Sequence, residues 1–146
     1  MDNIKGFAGL EAFLNTFSSN LQADVMQNAL LQGAEVLAVQ TRDNVPVASG
    51  LLRDGIKASS SMVDGVPTAS VRATGEHAHI AKWIEYGTAA HVIAATDGKA
   101  LYFNGAFADK VMNPGMKPHA FMRPALEARA QDAIKAVGEA VKASIK

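Results

Sequence analysis

Four histidines are the side chains in this sequence best suited to metal or acid–base chemistry. His77 and His79 lie two residues apart, so on a strand they would share one face and could hold a metal ion with a third ligand. On a helix the same two side chains would diverge. The remaining candidate ligands, which follow no fixed spacing, are His91, His119, Glu85 and Asp97. Two hypotheses therefore remain open, a small metal-dependent enzyme that uses the histidines and histidines at a surface or an interface.

Other catalytic chemistry has little support in the sequence. The absence of cysteine excludes disulfides, thiolate zinc sites and cysteine nucleophiles. A glycine-rich phosphate loop, a His-Glu-x-x-His zinc motif and a Gly-x-Ser-x-Gly nucleophile turn are also lacking. Ser59, Ser60 and Ser61 have no histidine near them in sequence, so they are interpreted as part of a strand. We therefore predict that the protein is not an enzyme and that it binds no cofactor and no metal.

The composition is typical of one globular domain spanning residues 1–146. Hydrophobic residues make up 49% of the 146 residues and charged residues 19%, which is enough to bury a core without disulfides. Basic and acidic residues number 14 each, and zero net charge argues against a general nucleic-acid-binding protein. The sequence shows no targeting signal and no run of 18 apolar residues. We therefore expect no membrane span and synthesis in a cytoplasm.

Charge is distributed unevenly along the chain. Residues 1–41 carry four acidic side chains and one basic side chain, whereas residues 110–146 carry seven basic and three acidic ones. Two interpretations remain open. The acidic and basic ends pair within one chain, or they meet head to tail between copies.

The first helix is predicted over residues 10–43. From Leu21 onward, apolar residues recur at steps of three and four, which makes one helical stripe. Residues 18–20 could cap a new helix at Leu21 and so split off a shorter helix over the apolar residues 7–17. Pro46 ends the region, because it pushes the residue before it away from helical angles.

A β-hairpin and a closing helix complete the predicted fold. Residues 56–63 and 66–74 are predicted strands, joined by Asp64-Gly65, which is a strong two-residue turn. The last helix begins near Arg123-Pro124, because proline suits the first turn of a helix. We predict an α+β domain with a long N-terminal helix, a small antiparallel sheet of three to four strands, and a C-terminal helix packed on the sheet.

A short apolar segment over residues 78–86 and a long irregular span over residues 87–118 lie between the hairpin and the last helix. Trp83 and Ile84 of the short segment are predicted to be largely buried between the sheet and the helices. The long span contains several glycines and prolines, and only residues 100–103 resemble a strand. Irregular spans of this length are usually functional.

The irregular span holds more large apolar residues than a solvated loop needs. We predict that it is mobile in the free subunit and packs against a neighbour in an assembly. Its interface candidates are Val92, Ile93, Tyr102, Phe103 and Phe107. Three further candidates follow it, Phe121, Met122 and Arg123. Pro118 and Pro124 could fix an extended segment that presents Phe121 as an anchor, and core packing of Phe121 is the alternative.

Three segments, residues 44–56, 79–88 and 113–125, resemble the motifs of one protein family. The motif residues are Pro46, Gly50, Leu52, Arg53, Glu85, Gly87, Thr88, Pro114, Gly115 and Pro124. Their order and spacing over residues 8–146 resemble the tail-completion or neck proteins of long-tailed bacteriophages, also called head–tail joining or minor tail proteins. Asn113 and His79 depart from the family pattern, which has histidine and tyrosine there.

The resemblance implies a structural virion protein at the junction of capsid and tail, with no catalytic site. Copies would form a six-fold ring that joins the DNA-filled capsid to the tail and lets DNA pass in transient, nonspecific contact. The implied partners are the neighbouring head-closure protein and the tail-terminator or tail-tube proteins. A tail-tube terminator ring is the alternative within the same class.

The sequence also predicts a structural role for Glu85. It lies near the end of the short segment over residues 78–86. There its carboxylate could accept backbone N–H bonds from the turn that follows it, or it could pair with Arg123. Both alternatives are structural roles.

Overall fold

The computed structural model describes the backbone of residues 4–96 and 99–144, and their side chains from residue 22 onward. The elements are, in chain order, α1 (Ile4–Asn44), α2 (Leu51–Asp54), β1 (Ile56–Val63), β2 (Val66–Ala73), α3 (Ala78–Tyr86), β3 (His91–Ala94), β4 (Leu101–Phe103), β5 (Ala106–Ala108), β6 (Lys110–Asn113) and α4 (Met122–Ser144). The predicted α+β class and the two long end helices are confirmed. None of the helices in these ranges is both long enough and apolar enough to cross a membrane.

The two long helices pack side by side and antiparallel. Near the start of α4, Arg129 donates a hydrogen bond of 3.0 Å to the side chain of Gln40 in α1. Farther along, Gly33 brings α1 so close to α4 that a Cβ on it would lie 2.9 Å from the Ala133 carbonyl oxygen. The acidic and basic helices therefore do pair within one chain. None of the ion pairs between described side chains joins α1 to α4.

α1 is one continuous helix, so the predicted break at residues 18–20 is wrong. Serine and asparagine cost a long helix only a few tenths of a kcal/mol each, roughly, whereas a new helix must be nucleated again. α1 ends at Asn44, just before Pro46, as the proline predicts. The side chains of the predicted apolar residues 7–17, and that of Leu21, lie outside those that the structure describes.

β1 and β2 form the predicted hairpin, paired along all eight residues of each strand. The turn residues Asp64 and Gly65 have φ angles of 50° and 78°, as the tight turn of a two-residue hairpin requires. Ile56, at the start of β1, is fully buried. Its carbonyl oxygen accepts a hydrogen bond of 3.0 Å from Arg42 Nε, which ties the hairpin to the end of α1.

The sheets are smaller than predicted, because the six strands form three separate two-stranded antiparallel sheets. β4, the predicted strand near residues 100–103, pairs with β5 and not with the first hairpin. Its turn is Asn104-Gly105, with φ angles of 51° and 87°. Asn-Gly is the strongest short hairpin sequence, so this local pairing could have been found from the sequence. Once β4 has paired locally, it has no reason to extend the β1–β2 sheet.

The span predicted as irregular, residues 87–118, is a paired β structure. β3 pairs with β6, the β4–β5 hairpin lies beyond them, and a bridge between Thr88 and Met116 closes the base. We call residues 88–116 the arm. The strands of the arm contact mainly one another and not the two long helices. The arm therefore leaves the helical body as an extended hairpin.

The core is small and lies where α1, α3, α4 and the first hairpin meet. Its buried members are Ala38, Val45, Ile56, Ala81 and Phe121. Ile84 packs against them, but Trp83 is 48% exposed, so the predicted burial of Trp83 is wrong. Successive helical residues turn by about 100°, which places Trp83 opposite the buried Ala81 and Glu85. On that outer side the Trp83 ring meets the His79 ring edge-on, with centroids 5.0 Å apart.

Replacing Trp83 by alanine should lower the unfolding free energy by only about 1 kcal/mol, because half of the side chain already lies in water. Ile84→Ala is the matched control and should cost about 2 kcal/mol or more, because Ile84 packs against the core. Urea titration of both variants measures the difference. A loss of about 3 kcal/mol for Trp83→Ala, as full burial would give, would contradict the exposed placement.

Candidate assembly interface

Glu85 places a buried carboxylate of α3 at the N-terminus of α4. Its Oε2 accepts hydrogen bonds from the backbone N–H groups of Phe121 and Met122, over 2.8 and 2.9 Å. Its Oε1 accepts a third bond from the Arg123 N–H over 3.2 Å. N–H groups at the start of a helix have no partner within the helix, and the helix dipole favours a negative charge there. Glu85 is therefore the cap of α4, supplied by a different element.

The pKa of Glu85 results from opposing effects. Burial raises the pKa of this carboxyl group, whereas the three backbone hydrogen bonds and the Arg123 guanidinium lower it. The lowering effects prevail, so the pKa lies below its ordinary value and the group is ionised at neutral pH. Of the two predicted roles, backbone bonding is the one observed, with donors from residues 121–123 at the start of α4 and not from the turn after Glu85. The positive charge of Arg123 helps to lower the pKa of Glu85.

The second and third motif segments meet beside this cap, at the base of the arm. The His119 N–H donates to the Ile84 carbonyl oxygen over 2.7 Å. Thr88 and Met116 exchange two backbone hydrogen bonds, of 2.9 and 3.1 Å. We call these contacts, together with the Glu85 cap, the junction. It fixes both ends of the arm to α3 and to the start of α4.

Two motif glycines allow the close approach at the junction. Gly87 has φ 74° and ψ −179°, a combination open essentially to glycine alone. A Cβ on Gly87 would lie 2.5 Å from the Met116 carbonyl oxygen. Gly115 has φ 77°, and a Cβ there would collide with the Thr88 carbonyl oxygen. Both glycines are therefore required by the backbone path, which is a structural role.

The first motif segment packs on another side of α3. Gly50 has φ 85° and precedes α2, whose Leu52 packs against the core. A cleft of about 170 Å³ between this segment and α3 is lined in part by Pro46 and Ile84. Arg53 remains at the surface. The first motif therefore supports the helix that carries the Glu85 cap.

The arm exposes its large apolar side chains. The candidates predicted from the sequence, all of them exposed, are Val92, Ile93, Tyr102, Phe103 and Phe107. Tyr102 and Phe107 pair across β4 and β5 with ring centroids 5.2 Å apart, yet they remain 69% and 75% exposed. Exposed apolar clusters of this kind typically mark interaction sites. Met112, opposite Val92 and also exposed, was missed by the sequence analysis because β6 was not predicted.

The arm also carries a groove of about 290 Å³. Ile93, Val111 and Leu101 line it, together with Pro114 of the third motif. The β3–β6 pair supplies one wall and β4 the other. The groove adds a concave apolar surface to the exposed side chains of the arm.

The three candidates that follow the arm divide between core and surface. Phe121 is fully buried in the core, so it offers no surface to a neighbour. The prediction that it acts as an anchor is therefore wrong, and the alternative, core packing, is confirmed. Met122 packs partly buried against that core, and Arg123 is exposed. Pro124 lies in the first turn of α4, where its missing N–H costs nothing.

The four histidines lie on different elements. His77 precedes α3 and His79 lies within it, where a helix turns the two side chains apart. His91 belongs to β3, and His119 belongs to the segment before α4. Within residues 22–96 and 99–144, no group of three or more His, Asp and Glu side chains could hold a metal ion. Asp97, a candidate ligand in the sequence, lies outside the described residues.

A family model matches residues 8–87, which is more than half of the chain. It describes the HK97-gp10-like family, a tail component of bacteriophages. The match covers α1 from residue 8 onward, the first hairpin and α3, and with them the first motif segment and all but the last residue of the second. It ends at Gly87, where the arm begins. No curated protein and no solved structure matches the chain.

Proposed function

The chain belongs to the HK97-gp10-like family of bacteriophage tail components, and we propose that it acts in the virion neck as a ring between capsid and tail. The ring has six copies, joins the DNA-filled capsid to the tail and lets the DNA pass. Its partners are the head-closure protein on one side and the tail-terminator or tail-tube proteins on the other. The protein acts by forming contacts, without a catalytic step.

The arm is the observation that supports this role. Its apolar side chains lie on a paired strand structure that is fixed at its base by the junction, apart from the core. Burying such side chains against a neighbour gives the main favourable energy of association. A ring also needs two different patches that meet head to tail, because a self-complementary patch stops at a dimer. An arm that leaves the body supplies one of the two patches.

The charge of the chain suits a passage for DNA. Affinity for the phosphate backbone grows with the number of lysine and arginine contacts. The 14 basic residues are balanced by 14 acidic ones, so the subunit has no net positive charge to hold DNA in place. Zero net charge also reduces the repulsion between copies in a ring.

Phe107→Ser in the arm should leave the domain folded and block the joining of heads to tails. Phe107 is 75% exposed, so the unfolding free energy should change by no more than about 0.5 kcal/mol. Complementation of a phage lacking the protein should then accumulate filled heads and separate tails. Val63→Ser, at the tip of the first hairpin and 49% exposed, is the matched control outside the arm. Normal yields with Phe107→Ser would remove the arm from assembly.

Two measurements on wild-type particles complete this test. Imaging of virions should place several copies as a ring between capsid and tail, whereas a single copy would overturn the ring. A ring at the end of the tail tube would favour the tail-terminator alternative. Amides of residues 91–113 should exchange faster in the free subunit than in the particle. Equal and strong protection in both states would mean that the arm gains no contacts on assembly.

A further inference from the structure

A larger groove, of about 670 Å³, lies on the body between α3, α4 and the first hairpin. We call it the body groove. Its apolar lining includes Leu37 of α1, Val71 of β2, Ala81 of α3 and Leu126 of α4. Leu126 is 54% exposed although it is apolar. The volume lies within the range that proteins use to bind ligands.

Three cationic side chains border the body groove. They are Arg72 of β2, Lys82 of α3 and Arg123 of α4, and all three residues are exposed. None of the three forms an ion pair with another side chain that the structure describes. Glu85 also lines the groove, but its carboxylate already accepts three backbone hydrogen bonds. The border therefore repels a cationic occupant and attracts the faces of aromatic rings, which carry partial negative charge.

Residues 101–108, which we call the arm tip, contain no charged side chain. The arm tip nevertheless exposes three aromatic rings to solvent. Tyr102, Phe103 and Phe107 are 60–75% exposed. Buried aromatic anchors supply much of the binding energy of protein interfaces, and their faces also interact favourably with arginine and lysine. The arm tip therefore matches both the apolar lining and the cationic border of the body groove.

The arm tip does not occupy the body groove of its own chain. β4 and β5 pair with each other, and neither strand packs against α3, α4 or the first hairpin. Among the described residues that line the body groove, none belongs to the arm tip. The groove lies instead beside the junction at the base of the arm, where Tyr86 and Met122 line it. Each subunit thus carries the two surfaces at separate places, as a head-to-tail contact between copies requires.

The tip of the first hairpin is a competing occupant. Its exposed apolar residues, Met62, Val63 and Val66, are aliphatic, so they have no ring faces to offer to the cationic border. Asp64 at its turn has the right charge, but an exposed ion pair contributes little to binding. An aromatic side chain buries about 150–250 Å², and the arm tip carries three. These differences favour the arm tip.

We propose that the arm tip docks in the body groove of the next copy of this chain. Its aromatic rings pack on the apolar lining, and the ring faces near the border meet Arg72 and Lys82. The inference rests on the proposed function, because it identifies the second of the two patches that a ring needs. Each copy gives its arm tip to one neighbour and its body groove to the other, so the repeated contact closes the ring.

Disulfide cross-linking in particles tests the contact directly, because the chain has no cysteine of its own. Ala106→Cys, which keeps all three rings of the arm tip, and Leu126→Cys in the body groove are combined in one full-length chain. This chain is supplied to a phage lacking the protein, and purified particles are oxidised mildly. Electrophoresis without reductant should show this chain linked into a ladder of dimers and higher multiples. Docking favours the bond because it raises the effective concentration of the two thiols.

Two control chains each replace one of these cysteines by Val63→Cys, at the exposed tip of the first hairpin. Both controls should remain monomeric. A ladder with Val63→Cys and Leu126→Cys would overturn the proposal, because the first hairpin would then occupy the body groove. If Leu126→Cys gives no particles, Ala78→Cys, which also lines the groove, takes its place.

Three further outcomes would also overturn the contact. One is the absence of links between copies in the test chain. Another is a link from Leu126→Cys to a different virion protein, which would then be the occupant. The third is a disulfide within the free subunit, because the arm would then cover its own groove. A ladder without a ring in virions would remove the proposed ring alone, whereas a ring without the ladder would remove this contact alone.

Discussion

Glu85→Ala should lower the free energy of unfolding by about 3–4 kcal/mol, because it removes a buried, charged acceptor of three backbone hydrogen bonds. The substitution leaves the N–H groups of Phe121, Met122 and Arg123 without their acceptor. The Phe121 bond is buried, and leaving a buried N–H unsatisfied costs about 1–3 kcal/mol, whereas the N–H groups of Met122 and Arg123 are only partly buried. The negative charge at the positive end of the α4 dipole is lost as well. The start of α4 should therefore separate from α3, and the arm should lose one of its two supports.

One further variant tests how much of the effect depends on the charge of Glu85, and another serves as a control at an exposed glutamate. Glu85→Gln keeps one oxygen acceptor but loses the charge and the second acceptor, so it should cost less, about 2 kcal/mol. Glu127→Ala removes an exposed glutamate of α4 and should change stability by no more than about 0.5 kcal/mol. Denaturant titration followed by circular dichroism at neutral pH orders the three variants. Similar losses of unfolding free energy for Glu127→Ala and Glu85→Ala would show that stability does not depend on the carboxylate that caps α4.

The pH dependence of stability should report the same cap. The pKa of Glu85 in the folded chain lies below its ordinary value of 4.5, so the unfolded chain binds this proton more readily. The stabilisation is therefore fully present above the unfolded pKa and is lost as the pH falls through the folded pKa. Glu85→Gln should lose that part of the acid dependence and keep the rest. An unchanged acid profile in Glu85→Gln would mean that the carboxylate does not stabilise the fold through its charge.

The elements predicted correctly are those whose patterns are local. The helical spacing of apolar residues in α1 is visible in the sequence of α1 alone. The turn residues Asp64-Gly65 likewise predict the first hairpin without information from the rest of the chain. Asn104-Gly105 carries the same kind of local pattern and was missed, because the span around it was interpreted as irregular. The number of strands in each sheet depends on which edges meet, and no window of sequence contains that information.

The junction shows why the candidate site was only partly predictable. Glu85 and Phe121 are 36 residues apart, so the acceptor and its donors can be recognised separately but not as partners. Phe121 was predicted either as an anchor or as a core residue, and it lies in the core, in one buried cluster with Ala38 of α1 and Ile56 of β1. Trp83 is exposed for a related reason, because α3 turns its Ala81 and Glu85 side inward. By contrast, the exposed apolar residues of the arm were predictable, since composition alone shows that a solvated loop does not need them.

Gly87→Ala should cost about 3 kcal/mol or more, because it adds backbone strain and a steric collision at one position. The φ of 74° with ψ −179° is essentially closed to alanine. The new Cβ would lie 2.5 Å from the Met116 carbonyl oxygen and 2.9 Å from the ring of Pro118. Since a backbone oxygen cannot rotate away, the Thr88–Met116 bridge must open or the arm must shift. We expect this variant to combine a loss of stability with a loss of head–tail joining.

Gly75→Ala adds backbone strain without a steric collision, so it shows how much of the effect of Gly87→Ala is due to strain alone. Gly75 has φ 85°, yet a Cβ on it would meet no atom within 4 Å, so this variant should lose only about 1 kcal/mol. It also lies outside the arm, and it should support normal head–tail joining. Denaturant titration and phage complementation measure both effects in both variants. Equal small losses at Gly75 and Gly87 would mean that the junction yields easily, and the arm would then not be held in place by the contact of the second and third motif segments.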